Sequence, residues 1–528
     1  MPAVLKLLPT SLQDKGEAEQ NRAPTRQELE RALRSTFEEV LQGATISDEA
    51  TFMAYESTLV AQVRQLGQLL LMLFLCVREQ RRRAELPPTV VLQEKTYTLR
   101  PAKPRNLSTM FGVVRYWRSY LRGPAGHGYH PLDVDLGLTT DRLSMNVLSL
   151  ASRLATMLSY AKVHTTLTWF LGSAPSTEVI EQTVLGLGRR TTQWFEQCPA
   201  PEDDGEVLII EVDSKGAPTA TETELQRRRG PRRPNPHPES ARHRGRARRA
   251  LYGKKPRRKK GDKSKNARLA TLVVMYTLRR EPGGTKLLGP VNRWVYASFA
   301  PKRHVFAIAR READRRGFTK DSGKLIQILT DGDEDLACYA QEYFPEAIHT
   351  VDVMHVLEYV YQAGECLYKE GSAELQSWVN DQKDQLYNGK EALVVARMKR
   401  RYQALPETGP GNKGRRERLF SAIRYLEKRL ALMNYKDLAD QDLELGTGMV
   451  EGAVKNLIGA RFDFGGSRWI RERAEALLQL RCIQHNGQWD DFIAWVHDDH
   501  HHRSRHQAER IRIQQATPGP LPTLGLAA

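Results

Sequence analysis

Three carboxylates in this chain have the settings that metal-assisted phosphodiester chemistry requires. Asp331 lies in KLIQILTDGDED, Lys324–Asp335, where five of the six residues from Leu325 to Thr330 are apolar or β-branched. Such a run reads as a short buried strand, and a strand tip is a rigid mount for a metal-binding acid. Asp213 ends a second buried run, VLIIEVD at Val207–Asp213, and Glu451 stands near the start of a helix in GTGMVEGAVKN. If the three converge, two Mg²⁺ or Mn²⁺ ions about 4 Å apart would share one phosphate oxygen. One ion activates the attacking water or 3′-hydroxyl and the other stabilises the leaving oxygen. Hard oxygen ligands select these ions over zinc, for which the five cysteines provide no C-x-x-C pair.

Each residue also has a plainer reading. Asp213 opens Asp-Ser-Lys-Gly, which is good turn chemistry. Asp331, Asp333 and Asp335 have the spacing of a calcium loop with Glu342 at its twelfth position, but Leu336 stands where that loop needs Gly. Glu451 has Lys455 four residues on, the favourable order for a surface ion pair, and lies on the rim of the stripe Val450, Ala453, Val454, Leu457 and Ile458. Asp352 and His355, in VDVMHVLEY, could hold a metal or orient a phosphate, or Asp352 could simply cap a helix.

The charge favours a polyanionic partner. The 528 residues carry a net +17, and residues 227–265 hold 18 Lys and Arg against 2 acidic residues, a net of +16. Arg227, Arg228, Arg229, Arg248, Arg249, Lys254, Lys255, Arg257, Arg258, Lys259 and Lys260 belong to that segment, which cannot build a core and reads as a non-specific clamp on DNA phosphates. The run STMFGVVRYWRSYLR mixes aromatics with Arg115 and Arg118, as a ribbon lying against DNA would, although a sheet packed on neighbouring helices explains the aromatics equally. The most apolar run, Leu69–Val77, is nine residues, far short of the ~20 that cross a bilayer, and the first residues show no signal-peptide pattern. A reducing cytoplasm, with nucleoid association on DNA, is the expected compartment.

The elements that must position these residues follow from periodicity. Residues 1–25 are expected to be disordered, and 26–130 to form a helical domain with a β-hairpin, its second helix packing through Leu59, Val60, Val63, Leu66, Leu69, Leu70 and Leu73. Residues 131–200 read as helical, with a helix-turn-helix outline around GSAP and a helix start at Ser176 or Thr177. From 201 to 369 the order is strand, strand, strand, helix, strand, helix, strand, helix, the order of a ribonuclease H-like fold, with residues 226–266 as a basic excursion. A helical insertion at 370–440 separates this part from 441–497, which carries Glu451, and 498–528 is expected to be a disordered tail. The fold class is thus multidomain α+β, a helical and β-ribbon N-terminal DNA-binding region followed by a ribonuclease H-like α/β catalytic core with a helical insertion.

Taken in order, the motifs PLDVDLGL at Pro131–Leu138, EVDSKG at Glu211–Gly216, LTDGDEDL…YFPEAIHTVDVMHVLEYV at Leu329–Val360 and GMVEGAVKNLIGARFDFGGSRW at Gly448–Trp469 resemble the ISKra group of bacterial insertion-sequence transposases, DDE enzymes with a ribonuclease H-like core. The resemblance implies Asp213, Asp331 and Glu451 as the catalytic metal triad binding two ions. It implies Asp352 and His355 as an associated Asp-x-x-His, and Arg461 and Trp469 as residues that follow the Glu helix. It also implies double-stranded DNA, both element ends and target, as partner, no membrane, and a homo-oligomer when assembled on DNA. Relatives often carry cysteines before PLD, whereas SYLRGPAGHGYHP offers only His127 and His130, so zinc is not expected there. Two alternatives remain open, a structure-selective nuclease with the same fold and a non-catalytic DNA-binding protein derived from a transposase.

Overall fold

A computed structural model describes residues 22–46, 51–92, 95–123, 128–223, 267–463 and 468–516. The basic residues from Arg227 to Lys260 named above, and His127, lie outside the described residues. The chain divides at Arg190 and Gly487 into two compact units, residues 1–190 with 488–528, and residues 191–487.

In the first unit, helices α1 (Arg26–Ile46) and α2 (Phe52–Ala84) pack against a four-stranded antiparallel sheet in the order β1 (Thr89–Leu92), β2 (Lys95–Thr109), β3 (Gly112–Arg122), β4 (Gly128–Tyr129). β1 turns back onto β2, with Leu92 paired to Lys95. Short α3 (Pro131–Asp135) leads to α4 (Met145–Met157), α5 (Tyr160–Leu171) and α6 (Thr177–Gly188), capped by the hydroxyls of Ser144, Ser159 and Ser176. The helical run is broken at Leu158, where Ser159 starts a new helix. Residues 489–516, mostly assigned above to a disordered tail, form a helix in this unit. It is held in part by Arg190 against Asp499 and by the Trp489 indole donating to Ser149 Oγ at 3.0 Å.

The expected packing face of α2 is two faces. Leu69, Met72 and Leu75 are buried with Leu29, Leu107, Val114 and Tyr116, whereas Val60, Val63 and Leu70 are exposed. By length and composition α2 could also cross a membrane, which the nine-residue apolar run did not suggest, but its inner face is committed to this core.

The PLD motif has a structural role here. Asp133 is buried and accepts from Arg105 Nη1 at 2.9 Å and from the Tyr116 hydroxyl at 2.9 Å, and it also pairs with Arg118. Burial lowers Arg118 to about 10, and its guanidinium pairs with Asp133. Arg115 lies over the Trp117 ring at 5.4 Å, and Tyr116 and Trp117 are both buried, as in a sheet covered by neighbouring elements.

The second unit opens with α7 (Thr191–Gln197) and a five-stranded sheet in the order β7 (Leu287–Ser298), β6 (Ala267–Arg280), β5 (Val207–Pro218), β8 (Ile326–Thr330), β9 (Ile348–Val351). β5, β6 and β7 are antiparallel, and β8 and β9 run parallel to β5. Helices α8 (Lys302–Arg315), α9 (Glu334–Tyr343) and α10 (Val353–Glu365) alternate with the last strands, as parallel crossovers require. The insertion is α11 (Ala373–Tyr387), α12 (Glu391–Ala404), α13 (Asn412–Glu427) and α14 (Tyr435–Asp440). The chain returns through α15 (Gly448–Ala453), which widens into a π turn at Val454–Gly459, and ends the unit on α16 (Arg471–His485).

Two expected outcomes follow for the first unit. Asp133→Asn leaves two neighbouring guanidiniums without their carboxylate and should cost about 3 kcal/mol, read as a lower urea midpoint. Burial depresses His130 to about 4, so between that value and the ordinary 6.5 the unfolded chain binds the extra proton. Stability should therefore fall as pH drops through this window, and the slope should flatten in His130→Gln.

Candidate metal centre

β8 and β9 end in register beside the middle of β5, which runs on to Pro218, so Asp213 lies within its strand and not at the end the sequence suggested. Val212 pairs with Thr330 and Thr330 with Val351, so Asp213, Asp331 and Asp352 occupy the next row across three neighbouring parallel strands. Each arrives there behind an apolar strand that the core holds rigidly: Ile209, Ile210, Ile328, Leu329 and Val351 are all buried. The carboxyl end of parallel strands is where open α/β sheets gather functional side chains.

Glu451 comes to this edge on α15, and two buried carboxylates hold that helix. Glu211 accepts from Val450 N at 2.8 Å and from the Tyr276 hydroxyl at 2.8 Å. Asp352 Oδ2 accepts from the Thr447 hydroxyl at 2.6 Å. An anion at the first turn satisfies an N–H that has no partner within the helix and suits the helix dipole. The far side of α15 is also secured. Arg481, buried on α16, donates through Nε to Leu457 O at 2.7 Å and also to Asn456 O, carbonyls within the π turn. Burial pulls Arg481 down to about 10.

Ligand atoms of Asp352, His355 and Glu451 lie within 4.8 Å of one another, the spacing at which one ion can be held. This cluster shares only Glu451 with the expected triad. Asp352 is fully buried and already accepts from Met354 N at 2.9 Å, His355 Nδ1 at 2.8 Å and Thr447 Oγ1, so it both caps α10 and orients the imidazole. The two roles weighed for Asp352 are compatible, since the cap uses Oδ1 and the imidazole uses Oδ2.

The electrostatics follow from crowding. Burial raises Asp213, and the nearby Asp331 and Glu451 raise it further, while His355 opposes them. Burial lifts Glu211 to about 7 against its two hydrogen bonds. Burial alone would also raise Asp352, but hydrogen bonds from His355, Thr447 and Met354 hold it below the usual carboxylate range. Its hydrogen bond to Asp352 lifts His355 to about 9, with Asp331 contributing. Excess negative charge at one edge is what a cation would relieve.

Asp331 also borders a cavity of about 500 Å³ lined by His355, Glu358, Tyr359, Gln362, Tyr425 and Arg429. Tyr425 and Arg429 come from the insertion and grip the loop after β8. The Tyr425 hydroxyl donates to Asp331 O at 3.0 Å and Arg429 Nε to Gly332 O at 3.1 Å. Tyr425 is stacked on Tyr359 at 3.7 Å, and the Arg429 guanidinium lies 3.9 Å from the centre of the Tyr425 ring. Gly332 has φ +84°, and a Cβ there would meet the Tyr425 hydroxyl at 2.5 Å, so both backbone conformation and space demand glycine.

The remaining acids have structural partners. Asp333 caps α9 and pairs with Lys302 at 2.9 Å, and Glu334 pairs with Lys428 at 2.6 Å, an arrangement unlike a calcium loop. Glu451 is 3.7 Å from Lys455, a loose form of the expected surface pair. Arg461 is buried over the Trp469 ring at 4.7 Å, and Trp469 N and O bond Pro218 O and Ala220 N, locking this segment to the end of β5. Sequence reasoning missed Glu211, Thr447, Tyr425, Arg429 and Arg481. Glu211 and Arg481 left a signal, a charge inside an apolar run, whereas Tyr425 and Arg429 left none.

The chain matches no model of a known protein family, and no curated protein matches it either. The site therefore stands on its own chemistry, an Asp/His/Glu cluster able to coordinate a metal ion, within a mixed sheet flanked by helices.

Gly332→Ala should strain the loop by about 1–3 kcal/mol and displace Asp331. Calorimetric titration with Mn²⁺ should show weakened binding in Gly332→Ala, and a smaller loss in Tyr425→Phe with unfolding unchanged.

Proposed function

We propose that this protein is a DDE transposase of the ISKra type, which cuts and joins DNA at the ends of an insertion sequence through a ribonuclease H-like core. The observation that carries the reading is the shared row of Asp213 and Asp331 on adjacent parallel strands, with Glu451 on a helix anchored to the same strand through Glu211. The sheet order, with three antiparallel strands followed by two parallel to the first, is compatible with that core.

Asp213, Asp331 and Glu451 would hold the ions, as Mg²⁺ or Mn²⁺. The ions would supply Lewis-acid activation of the attacking hydroxyl and stabilisation of the leaving oxygen. The donor chemistry fits, since Asp331 lines an open cavity and Asp213 is raised by burial and by the nearby Asp331 and Glu451. Asp352 acts as a positioning residue, its oxygens engaged by three donors, and it directs His355 toward the same edge. His355 in its charged form would pair with a phosphate oxygen; in its neutral form it would add a nitrogen ligand, which Mn²⁺ tolerates better than Mg²⁺. Arg461 and Trp469 support the end of β5. The basic segment 227–265 would supply DNA affinity with strong salt dependence.

The test is an assay with labelled duplex carrying the cognate element end and Mg²⁺, comparing wild type with Asp331→Asn and Glu451→Gln. Wild type should cleave at the end and join the product to target, and each variant should lose at least about 100-fold in rate. Cleavage without joining favours a nuclease. Binding with no cleavage by wild type overturns the enzyme reading.

A further inference from the structure

We propose that the outer face of α2 is an interface between two copies of this chain, packed antiparallel, and that it forms without DNA. This does not depend on the chemistry proposed for the second unit. Positions 53, 56, 60, 63, 67, 70, 74, 77 and 81 alternate by three and four residues, the spacing of a coiled-coil seam, and they hold Met53, Glu56, Val60, Val63, Gly67, Leu70, Phe74, Val77 and Arg81. Met53 is 76% exposed, Val60 50%, Val63 49%, Leu70 57% and Phe74 50%. These are core-type side chains on a stripe about 40 Å long, and a monomer rarely leaves so continuous an apolar surface in water.

The middle of the stripe is already shaped for packing. Gly67 is covered by the ring of Phe111 from the turn between β2 and β3, so close that a Cβ at 67 would meet it at 2.2 Å. That ring occupies the seam position where a side chain is missing, and it is itself 40% exposed beside Met110.

Charge selects the occupant and its direction. Glu56 lies toward one end of the stripe and Arg78 and Arg81 at the other, all three exposed, with Arg78 over the Phe74 ring at 6.0 Å. An antiparallel second copy centred near Gly67–Leu70 brings each Glu56 to the other copy's Arg78 and Arg81, and the stripe meets its own equivalent as a two-fold contact requires. Parallel pairing would set the basic ends, Arg78 to Arg83, against each other. A lipid bilayer fits less well, because the opposite face of α2 is buried in protein against Leu29, Leu107 and Tyr116.

The experiment measures the mass of the full chain by light scattering at micromolar concentration without DNA, with circular dichroism and thermal unfolding as controls for folding. Wild type should be a dimer. Leu70→Glu should raise the dimer dissociation constant by roughly 30-fold or more. Glu56→Arg alone and Arg78→Glu with Arg81→Glu should each weaken the dimer, and all three together should restore it. A monomeric wild type, a dimer indifferent to Leu70→Glu, or no recovery in the triple charge swap overturns the proposal. So does a wild type that stays monomeric and floats with phosphatidylglycerol vesicles, which would make a lipid surface the occupant.

Discussion

The N-terminus of the helix carrying Glu451 is held by two carboxylates taken out of water, Glu211 in the middle of β5 and Asp352 just past β9. Neither is tolerated at such depth without partners, since an unpaired buried anion costs several kcal/mol. Glu211 finds a backbone N–H and a tyrosine hydroxyl, and Asp352 finds a backbone N–H, a threonine hydroxyl and an imidazole. The demand for satisfaction works in both directions. It fixes α15 over the sheet edge and it gives His355 one orientation, so that Glu451, Asp213 and Asp331 have a common address.

The insertion takes part in the same arrangement. Helices α11–α14 interrupt the second unit, yet α13 and the chain just past its end send Tyr425 and Arg429 back to the loop after β8. The loop turns through Gly332 in a left-handed conformation, and these two side chains hold the carbonyls of Asp331 and Gly332. The aromatic stack of Tyr359 on Tyr425 links the grip to α10, which also carries His355. The placing of the acidic groups at this edge is thus set by four pieces of chain distant in sequence: β5, the end of β8, the start of α10 and α15.

In the first unit a comparable buried network sits at Asp133, where two arginines and a tyrosine converge on one carboxylate. This explains why a motif that invites a functional reading can be structural. The same unit shows the reverse in α2, where residues that pattern as core stand in solvent. Burial follows the partners available, and a helix with apolar residues on two faces needs two partners.

The sequence by itself determined the type and order of elements in the second unit, because the apolar runs at Val207–Asp213 and Leu325–Thr330 are short, continuous and followed by acids. It also narrowed one helix start to Ser176 or Thr177, since a hydroxyl before an amphipathic run has a local reason to cap, and it determined the helical nature of the insertion. Other features are non-local and only the tertiary structure decided them. Periodicity marked α2 as apolar, but which of its two faces meets α1 and β3 depended on the rest of the unit. Asp352, His355 and Glu451 reach within 4.8 Å although Glu451 is 96 residues beyond His355, because strand register and the buried bonds to Glu211 and Thr447 bring them there. Arg118 was legible as a cation and not as the partner of Asp133, and Tyr425 and Arg429 were two residues of an ordinary charged helix. A side chain's type is written in the sequence, but the groups that desolvate, pair and orient it arrive from elsewhere in the chain.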